Sequence, residues 1–210
     1  MYIIESIIAI SVLATLYAWN NPHIYQKWLM IPNQIWRKKE YYRFFTSGLI
    51  HADWVHLIFN MISLYLLGKN VEIIYARIFG IELGAILLIV LYIVGMVLSD
   101  LPNYFKYKHT NYSSLGASGA IASVIFVSIL FMPLSQLCVY GVLCMPSFLF
   151  GLLYLLFSYY AAQNSHDSVS HEAHFYGALV GIAFAIFTYP AVIQHFLEQL
   201  SQWKGLFRFV

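Results

Sequence analysis

Long apolar stretches alternate with short polar ones along the chain, and their lengths predict membrane-spanning helices. A helix needs about 17–25 mostly apolar residues to cross a bilayer. Stretches of that kind lie near residues 2–19, 54–70, 81–99, 114–132, 136–160 and 174–193. The pattern therefore predicts an all-α polytopic membrane protein, a six-transmembrane-helix bundle in which residues 1–210 form a single membrane domain.

The composition agrees with this prediction and excludes other classes. Hydrophobic residues make up 61% of the chain and charged residues 10%, whereas a soluble domain carries about 25% charged residues. The formal net charge of +2 is too small to suggest a nucleic-acid partner, so the lipid bilayer is the expected surrounding. The first apolar run carries Glu5 as its early charge, and we expect a retained span rather than a cleaved signal peptide.

The segment 20–53, between the first two spans, has a composition of its own. It mixes aromatic residues with lysines and arginines. Such a mixture suits the lipid headgroup layer. We therefore expect this segment to be folded at the membrane interface.

The two cysteines of the chain, Cys138 and Cys144, lie in a strongly apolar stretch. Free cysteine behaves as a small hydrophobic residue and is often buried. We therefore predict two buried thiols rather than a disulfide. Two cysteines cannot form a structural zinc site by themselves, since such sites need four ligands.

Polar residues of a catalytic type lie near the N-terminal ends of three apolar stretches. His56 and Asn60 begin the second span, Ser118 the fourth and His174 the sixth. Spans two, four and six of a six-span protein run in the same direction, so these residues share a depth near one face of the membrane. Polar groups are costly inside a bilayer and commonly mark function there.

A serine and a histidine supply the parts for acyl transfer. A serine hydroxyl is a good nucleophile once a base removes its proton, and histidine is the usual base because its pKa lies near 6.5. Gly177 and Gly181 form a G-x-x-x-G stripe on the sixth span, which permits close helix approach. Gly116 and Gly119 keep the surroundings of the serine small. We expect these glycines to bring hydroxyl and imidazole within hydrogen-bonding reach.

Donors for an oxyanion are present as well. His56 and Asn60 are four residues apart and share one face of a helix. The backbone N–H of Ser118 lies at a helix start, where amide groups lack partners within the helix. Together they form a candidate oxyanion hole. His51, nearer the membrane surface, either shapes this hole or caps the site.

The order of these motifs resembles that of the rhomboid intramembrane serine proteases. The chain carries H-x4-H-x3-N over 51–60, G-x-S-G over 116–119 and A-H-x2-G-x3-G over 173–181. The likeness covers about residues 40–181 and extends to an aromatic–arginine pair and two residues near the end of the second span, namely Tyr42, Arg43, Gly68 and Glu72. Three motifs in the same order on matching spans make the resemblance specific.

The resemblance implies a six-helix rhomboid core that cleaves transmembrane segments of other membrane proteins without a cofactor or metal. Ser118 and His174 would form the catalytic dyad. His56, Asn60 and the Ser118 backbone N–H would form the oxyanion hole. The tyrosine–arginine pair would belong to the lateral structure of the first loop. The fifth span, with the loop that follows it, would be the substrate gate.

One position departs from the family pattern. Many rhomboids have an aromatic residue one helical turn after the serine, where its ring stacks under the catalytic histidine. This chain has Ala122 there. The resemblance therefore implies that another group orients His174.

The charge distribution and the family resemblance predict opposite orientations of the chain in the membrane. The first, third and fifth loops carry Lys27, Arg37, Lys38, Lys39, Arg43, Lys106 and Lys108, and the other side carries Lys69, Arg77, Lys204 and Arg208. The positive-inside rule would therefore put the catalytic ends on the cytoplasmic side. Rhomboids commonly have both termini in the cytoplasm and a site that opens outward. We follow the resemblance, with a bacterial inner membrane as the expected location.

Three other functions compete with proteolysis. Zinc could bind to His51, His56, His171 and His174, although the chain has no H-E-x-x-H motif. Polar residues in spans also mark transporters, but those tend to have inverted repeats and sites at the membrane midplane. The third alternative is a rhomboid-like protein that binds membrane helices without cleaving them.

Overall fold

The fold is mostly helical. The computed structural model describes residues 2–139, 143–164 and 169–203, so Lys204 and Arg208, which entered the charge count, lie outside the described residues. In the described part the helices are α1 (Ile3–Trp19), α2 (Pro22–Trp28), α3 (Pro32–Lys38), α4 (Arg43–Thr46), α5 (Trp54–Phe79), α6 (Ile81–Tyr107), α7 (Ser118–Phe131), α8 (Ser147–Asn164), α9 (His171–Thr188) and α10 (Val192–Ser201). A 3-10 turn covers Ser47–Leu49, and strands β1 (Gln136–Val139) and β2 (Leu143–Pro146) form a hairpin.

Helices α5 and α6, with 26 and 27 residues, are each long and apolar enough to cross a membrane. Helices α9 and α10 pass the same test together, but they are bent by 108° at the break between them. Helices α1 and α7 are apolar and shorter, with 17 and 14 residues. In the described residues, two helices thus meet these criteria, or three spans if α9 and α10 are counted as one. A helical membrane protein is confirmed, and six spans stay a prediction.

Helix α7 lies at the centre of the bundle. Eleven of its 14 residues are buried, and they pack mainly against α5, α6 and α9. A helix that is apolar on all sides is expected to face other parts of the protein in every direction. The first residue of α7 is Ser118, so the bundle surrounds the helix that carries the candidate nucleophile.

The long segment between α1 and α5 is folded, and its place at the membrane interface stays a prediction. Pro22 and Pro32 each start a short helix, since the first helical N–H has no partner within the helix and proline lacks it anyway. The buried guanidinium of Arg43 donates to the carbonyl oxygens of Gln26 and Leu29, at 3.1 and 2.8 Å. Arg43 therefore ties α4 to the end of α2 and serves the packing of this segment.

The fifth predicted span, 136–160, is wrong in its first half. Strands β1 and β2 pair antiparallel there, and helix α8 starts only at Ser147. One physical reason is Pro146, which has no N–H to donate within a helix. The Ser147 N–H donates instead to the Ser135 carbonyl oxygen at 2.8 Å, which closes the base of the hairpin.

The prediction of two buried thiols is wrong as well. The register of the hairpin pairs Cys138 with Cys144 across the two strands, and the two residues form a disulfide. Directly opposed residues of antiparallel strands lie close enough for such a bond. Because the segment was expected to be one helix, the pairing of Cys138 with Cys144 across two strands was not predicted.

A charged cluster holds the start of α1 against α5. Glu72, which is 2% exposed, accepts a hydrogen bond from the Ile3 backbone N–H at 2.8 Å and pairs with Lys69 at 2.5 Å. Lys69 also pairs with Glu5 at 2.9 Å. A buried carboxylate needs such partners. The cluster therefore gives Glu72 a structural role.

Candidate active site

The loop before α7 is fixed by backbone pairing with the segment that follows α2. Met30 and Ser114 exchange two backbone hydrogen bonds of 3.0 Å, and the Gly116 N–H donates to the Ser47 carbonyl oxygen at 2.9 Å. Gly116 has a φ of +118°, a conformation that glycine adopts far more readily than other residues. These contacts fix where α7 begins and hence where its first residue, Ser118, lies.

His56 lies against the same loop. A Cβ atom built on Gly116 would be 2.6 Å from the His56 ring, so the missing side chain leaves room for the imidazole. Asp53 caps α5, because its carboxylate accepts from the His56 backbone N–H at 2.8 Å. The structure thus brings His56 next to the loop that leads into Ser118.

Asn60 lies one helical turn further along α5. Its side chain is buried, with the residue 5% exposed, and its amide nitrogen donates to the His56 carbonyl oxygen at 2.8 Å. An amide nitrogen carries two hydrogens, so a second hydrogen remains for another acceptor. The Asn60 side chain is thus held close to the His56 backbone, one turn along α5.

His51 supports His56 from the protein interior. Its ring is fully buried and meets the His56 ring edge to face, with centroids 5.0 Å apart. Its Nδ1 atom lies 3.1 Å from the Thr15 hydroxyl. Burial, with a smaller effect of His56, lowers the pKa of His51 to about 3, against an opposing effect of Asp53. His51 is therefore a neutral contact between α1 and the start of α5 rather than an exposed cap.

Helices α7 and α9 approach each other backbone to backbone. A Cβ atom at Gly177 would lie 2.2 Å from the Gly119 carbonyl oxygen, and one at Gly181 would lie 2.1 Å from the Ser123 carbonyl oxygen. The close approach expected from the G-x-x-x-G stripe is therefore present. We call this contact of Gly119, Ser123, Gly177 and Gly181 the glycine seam.

The glycine seam also brings the segments of the candidate nucleophile and base together. A Cβ atom built on Gly119, the residue after Ser118, would lie 3.4 Å from the carbonyl oxygen of Ala173, the residue before His174. Ser118 and His174 are both half-buried. The structure therefore brings the starts of α7 and α9, which carry the candidate hydroxyl and the candidate base, close to each other.

The His174 ring stacks on an aromatic ring from a third helix. The ring centroids of His174 and Tyr154 are 6.2 Å apart, and the ring planes are inclined by 29°. Tyr154 belongs to α8, whereas the family pattern has its aromatic residue on α7, at the position of Ala122. Sequence reasoning missed Tyr154, because no local pattern links it to the histidine. His171 meets the His174 ring edge to face, with centroids 6.0 Å apart.

A small polar cavity adjoins Ser118. Its volume is about 10 Å³, close to the space that one water molecule needs. Its polar lining consists of Ser99, Asp100, Ser114, Ser118 and Ser170. Sequence reasoning missed Ser99 and Asp100, although they interrupt the apolar pattern of α6 and could have been noticed. The cavity can hold water beside the candidate nucleophile.

The four histidines of the zinc hypothesis form two pairs. His51 contacts His56, and His171 contacts His174. Among the residues that the structure describes, no three His, Cys, Asp or Glu side chains are grouped so that they could hold a metal ion. A catalytic zinc site has three protein ligands.

The class of the protein follows from comparison with known families. A family model described as Rhomboid domain matches residues 38–191. The chain belongs to the rhomboid family. Together with the apolar helices α5 and α6, this membership makes it an integral membrane protein.

Two curated relatives come from Arabidopsis thaliana. Rhomboid-like protein 15 is 24% identical over 159 residues, which are 74% of this chain and 38% of the relative. Rhomboid-like protein 11, chloroplastic, is 30% identical over 154 residues, which are 68% of this chain and 50% of the relative. The chain thus spans half the length of these relatives or less. Their plant origin lends no support to a bacterial inner membrane.

Proposed function

We propose that this protein is an intramembrane serine endopeptidase that cleaves transmembrane segments of other membrane proteins. The observation that carries the proposal is the glycine seam, which joins the start of α7, with Ser118, to the start of α9, with His174. Family membership agrees with the proposal, since the rhomboid family includes serine proteases.

In this mechanism His174 is the general base. Its imidazole takes the proton of the Ser118 hydroxyl while Oγ attacks the carbonyl carbon of the scissile peptide bond. The tetrahedral intermediate collapses when His174 gives that proton to the leaving amine, and an acyl group stays on Ser118. Water then attacks the acyl carbon, with the same histidine as base, and the carboxylate product leaves.

Three donors stabilise the oxyanion in this mechanism. They are the Ser118 backbone N–H at the start of α7, the His56 ring and the Asn60 amide. Removal of one such donor typically costs about 2.7–4 kcal/mol of transition-state stabilisation. The cavity beside Ser99 and Asp100 supplies a site for the water that hydrolyses the acyl group.

Helix α8 is the substrate gate in this proposal. One side of α8 is open to the surroundings, with Leu152, Leu156 and Phe157 exposed by 52%, 58% and 62%. Its other side packs on α7 and α9. The proposal includes a single membrane domain over residues 1–210 with six spans, in which α8 moves aside to admit a substrate helix.

The proposal is tested by labelling the detergent-solubilised protein with a fluorophosphonate, which reacts with activated serines. We expect the wild type to be labelled, and Ser118→Ala and His174→Ala to lose the label. Ser128→Ala is a matched control, because Ser128 is a buried serine of the same helix, ten residues and about 15 Å further along. It should be labelled as the wild type is.

Other results of this experiment would favour other functions. A well-folded wild type without label would support a rhomboid-like protein that binds membrane helices without cleaving them. Activity that a chelator abolishes would support metal catalysis. Ion or solute flux in liposomes that does not depend on Ser118 would support a transporter.

A further inference from the structure

The residue of α7 that lies one helical turn after Ser118 has no aromatic ring. Ser118, Ala122 and Phe126 are spaced by four residues and therefore follow one another along one face of α7. Ala122 is buried, 1% exposed, but it carries no ring that could stack on His174. A ring that rests on His174 must therefore come from another element.

Tyr154 of α8 supplies such a ring. It lies 6.2 Å from the His174 ring, with the two planes inclined by 29°. Its other neighbours are Phe126 of α7 and Phe150 of α8, at 5.7 and 6.0 Å between ring centroids. The Tyr154 ring thus contacts the same face of α7 one turn beyond Ala122, and it reaches the histidine from there.

We propose that Tyr154 is a positioning residue for His174, so that the gate helix α8 orients the catalytic base. This inference rests on the proposed protease function. Aromatic stacking restricts the orientation of the imidazole, and a dyad needs that orientation for proton transfer from Ser118. When α8 moves aside, the Tyr154 ring moves with it. Efficient acylation therefore requires α8 to return after the substrate has entered.

The test compares three substitutions on α8 with a transmembrane substrate in liposomes. Tyr154→Leu removes the ring, and we expect kcat to fall about tenfold to a hundredfold at an unchanged KM, the range that a misplaced catalytic group can cost. Tyr154→Phe keeps the ring and should retain kcat. Tyr159→Leu is the matched control, because it removes a tyrosine ring of the same helix that packs on Phe175, with 5.6 Å between the ring centroids. This variant should behave as the wild type.

A rescue variant separates positioning from folding. Tyr154→Leu combined with Ala122→Tyr returns a ring to the neighbourhood of His174 from α7, and kcat should recover at least in part. Ring-proton NMR gives a readout that does not need activity. The His174 resonances, assigned with His174→Ala, should move downfield in Tyr154→Leu and stay in place in Tyr159→Leu.

Each result decides between the possibilities. Unchanged kcat and unchanged His174 resonances in Tyr154→Leu would overturn the proposal. Equal losses of kcat in Tyr154→Leu and Tyr159→Leu, without rescue by Ala122→Tyr, would also overturn it, since Tyr154 would then only stabilise the fold. A wild type without Ser118-dependent cleavage would instead refute the protease function itself. The NMR shift would then still report whether the two rings are stacked.

Discussion

Helix α7 packs against α9 and against α8 in two different ways. At the glycine seam, a Cβ atom on Gly181 would meet a carbonyl oxygen at 2.1 Å, so backbone lies directly on backbone. At the α8 contact, a Cβ atom on Gly151 would meet the Ile129 Cδ1 methyl at 3.1 Å. Side chains can adjust, whereas backbone cannot. In the proposed mechanism the first contact therefore holds the two candidate catalytic residues in place, and the second contact opens.

The largest effect is expected from Gly181→Ala, which would break the tight contact. The added methyl group cannot avoid the Ser123 carbonyl oxygen, so α7 and α9 must separate. Overpacking of this kind typically destabilises a fold by about 1–3 kcal/mol, and displacement of catalytic groups by about 1 Å can cost a hundredfold in rate. Thermal melting in detergent and the rate of fluorophosphonate labelling measure the two effects. A melting temperature and a labelling rate equal to those of the wild type would show that the glycine seam can accept a Cβ atom.

An intermediate effect is expected from acid, which acts on a third contact, between α1 and the start of α5. His51 has a folded-state pKa of about 3, and an unfolded histidine has a pKa near 6.5. Between about pH 3 and pH 6.5, His51 therefore binds a proton in the unfolded chain but not in the folded chain. The contribution of neutral His51 to the free energy of unfolding is therefore fully present above about pH 6.5, and it is lost as the pH falls from 6.5 toward 3.

Melting temperatures between pH 7.5 and 4.5 measure this loss, which is at most about 1.4 kcal/mol per pH unit for one group. Asp53 and His56 face the same contact, so the comparison variant is His51→Gln, which keeps a polar side chain without the titration. We expect its melting temperature to depend less on pH than that of the wild type. Parallel curves for the two proteins would assign the acid sensitivity to other groups.

The smallest effect is expected from Gly151→Ala, on the loose side of α7. Alanine favours a helix over glycine by about 0.8–1.0 kcal/mol, and a small movement of the Ile129 methyl accommodates the new Cβ atom. We expect the melting temperature and the labelling rate to stay near the wild-type values. A loss as large as that of Gly181→Ala would remove the difference between the two contacts.

The sequence was most informative where local patterns decide the structure. The first apolar run, 2–19, corresponds closely to α1 (Ile3–Trp19). The four-residue spacing of Gly177 and Gly181 predicted a close helix contact, because it leaves a strip without side chains on one helix face. Such features depend on neighbours in the chain, and a single sequence records them.

The features that the sequence did not reveal depend on tertiary contacts or on a wrong local assignment. Tyr154 and His174, which stack on each other, are 20 positions apart and lie on different helices, and neither residue has a local signal for the other. The hairpin was missed because its apolar composition is equally typical of a span. Pro146 lies within the predicted fifth span, 136–160, whereas in the structure it ends a strand.

The disulfide of the hairpin gives the molecule a marker of its own orientation. Helix α7 has Ser118 at one end and the hairpin with Cys138 and Cys144 at the other, about 20 Å away along the helix axis. Cysteine pairs stay oxidised in secretory and periplasmic compartments and are kept reduced in the cytosol. A gel-shift assay for thiols on freshly isolated membranes therefore reports which compartment faces the hairpin. In the proposed six-span arrangement, the candidate active site faces the opposite compartment.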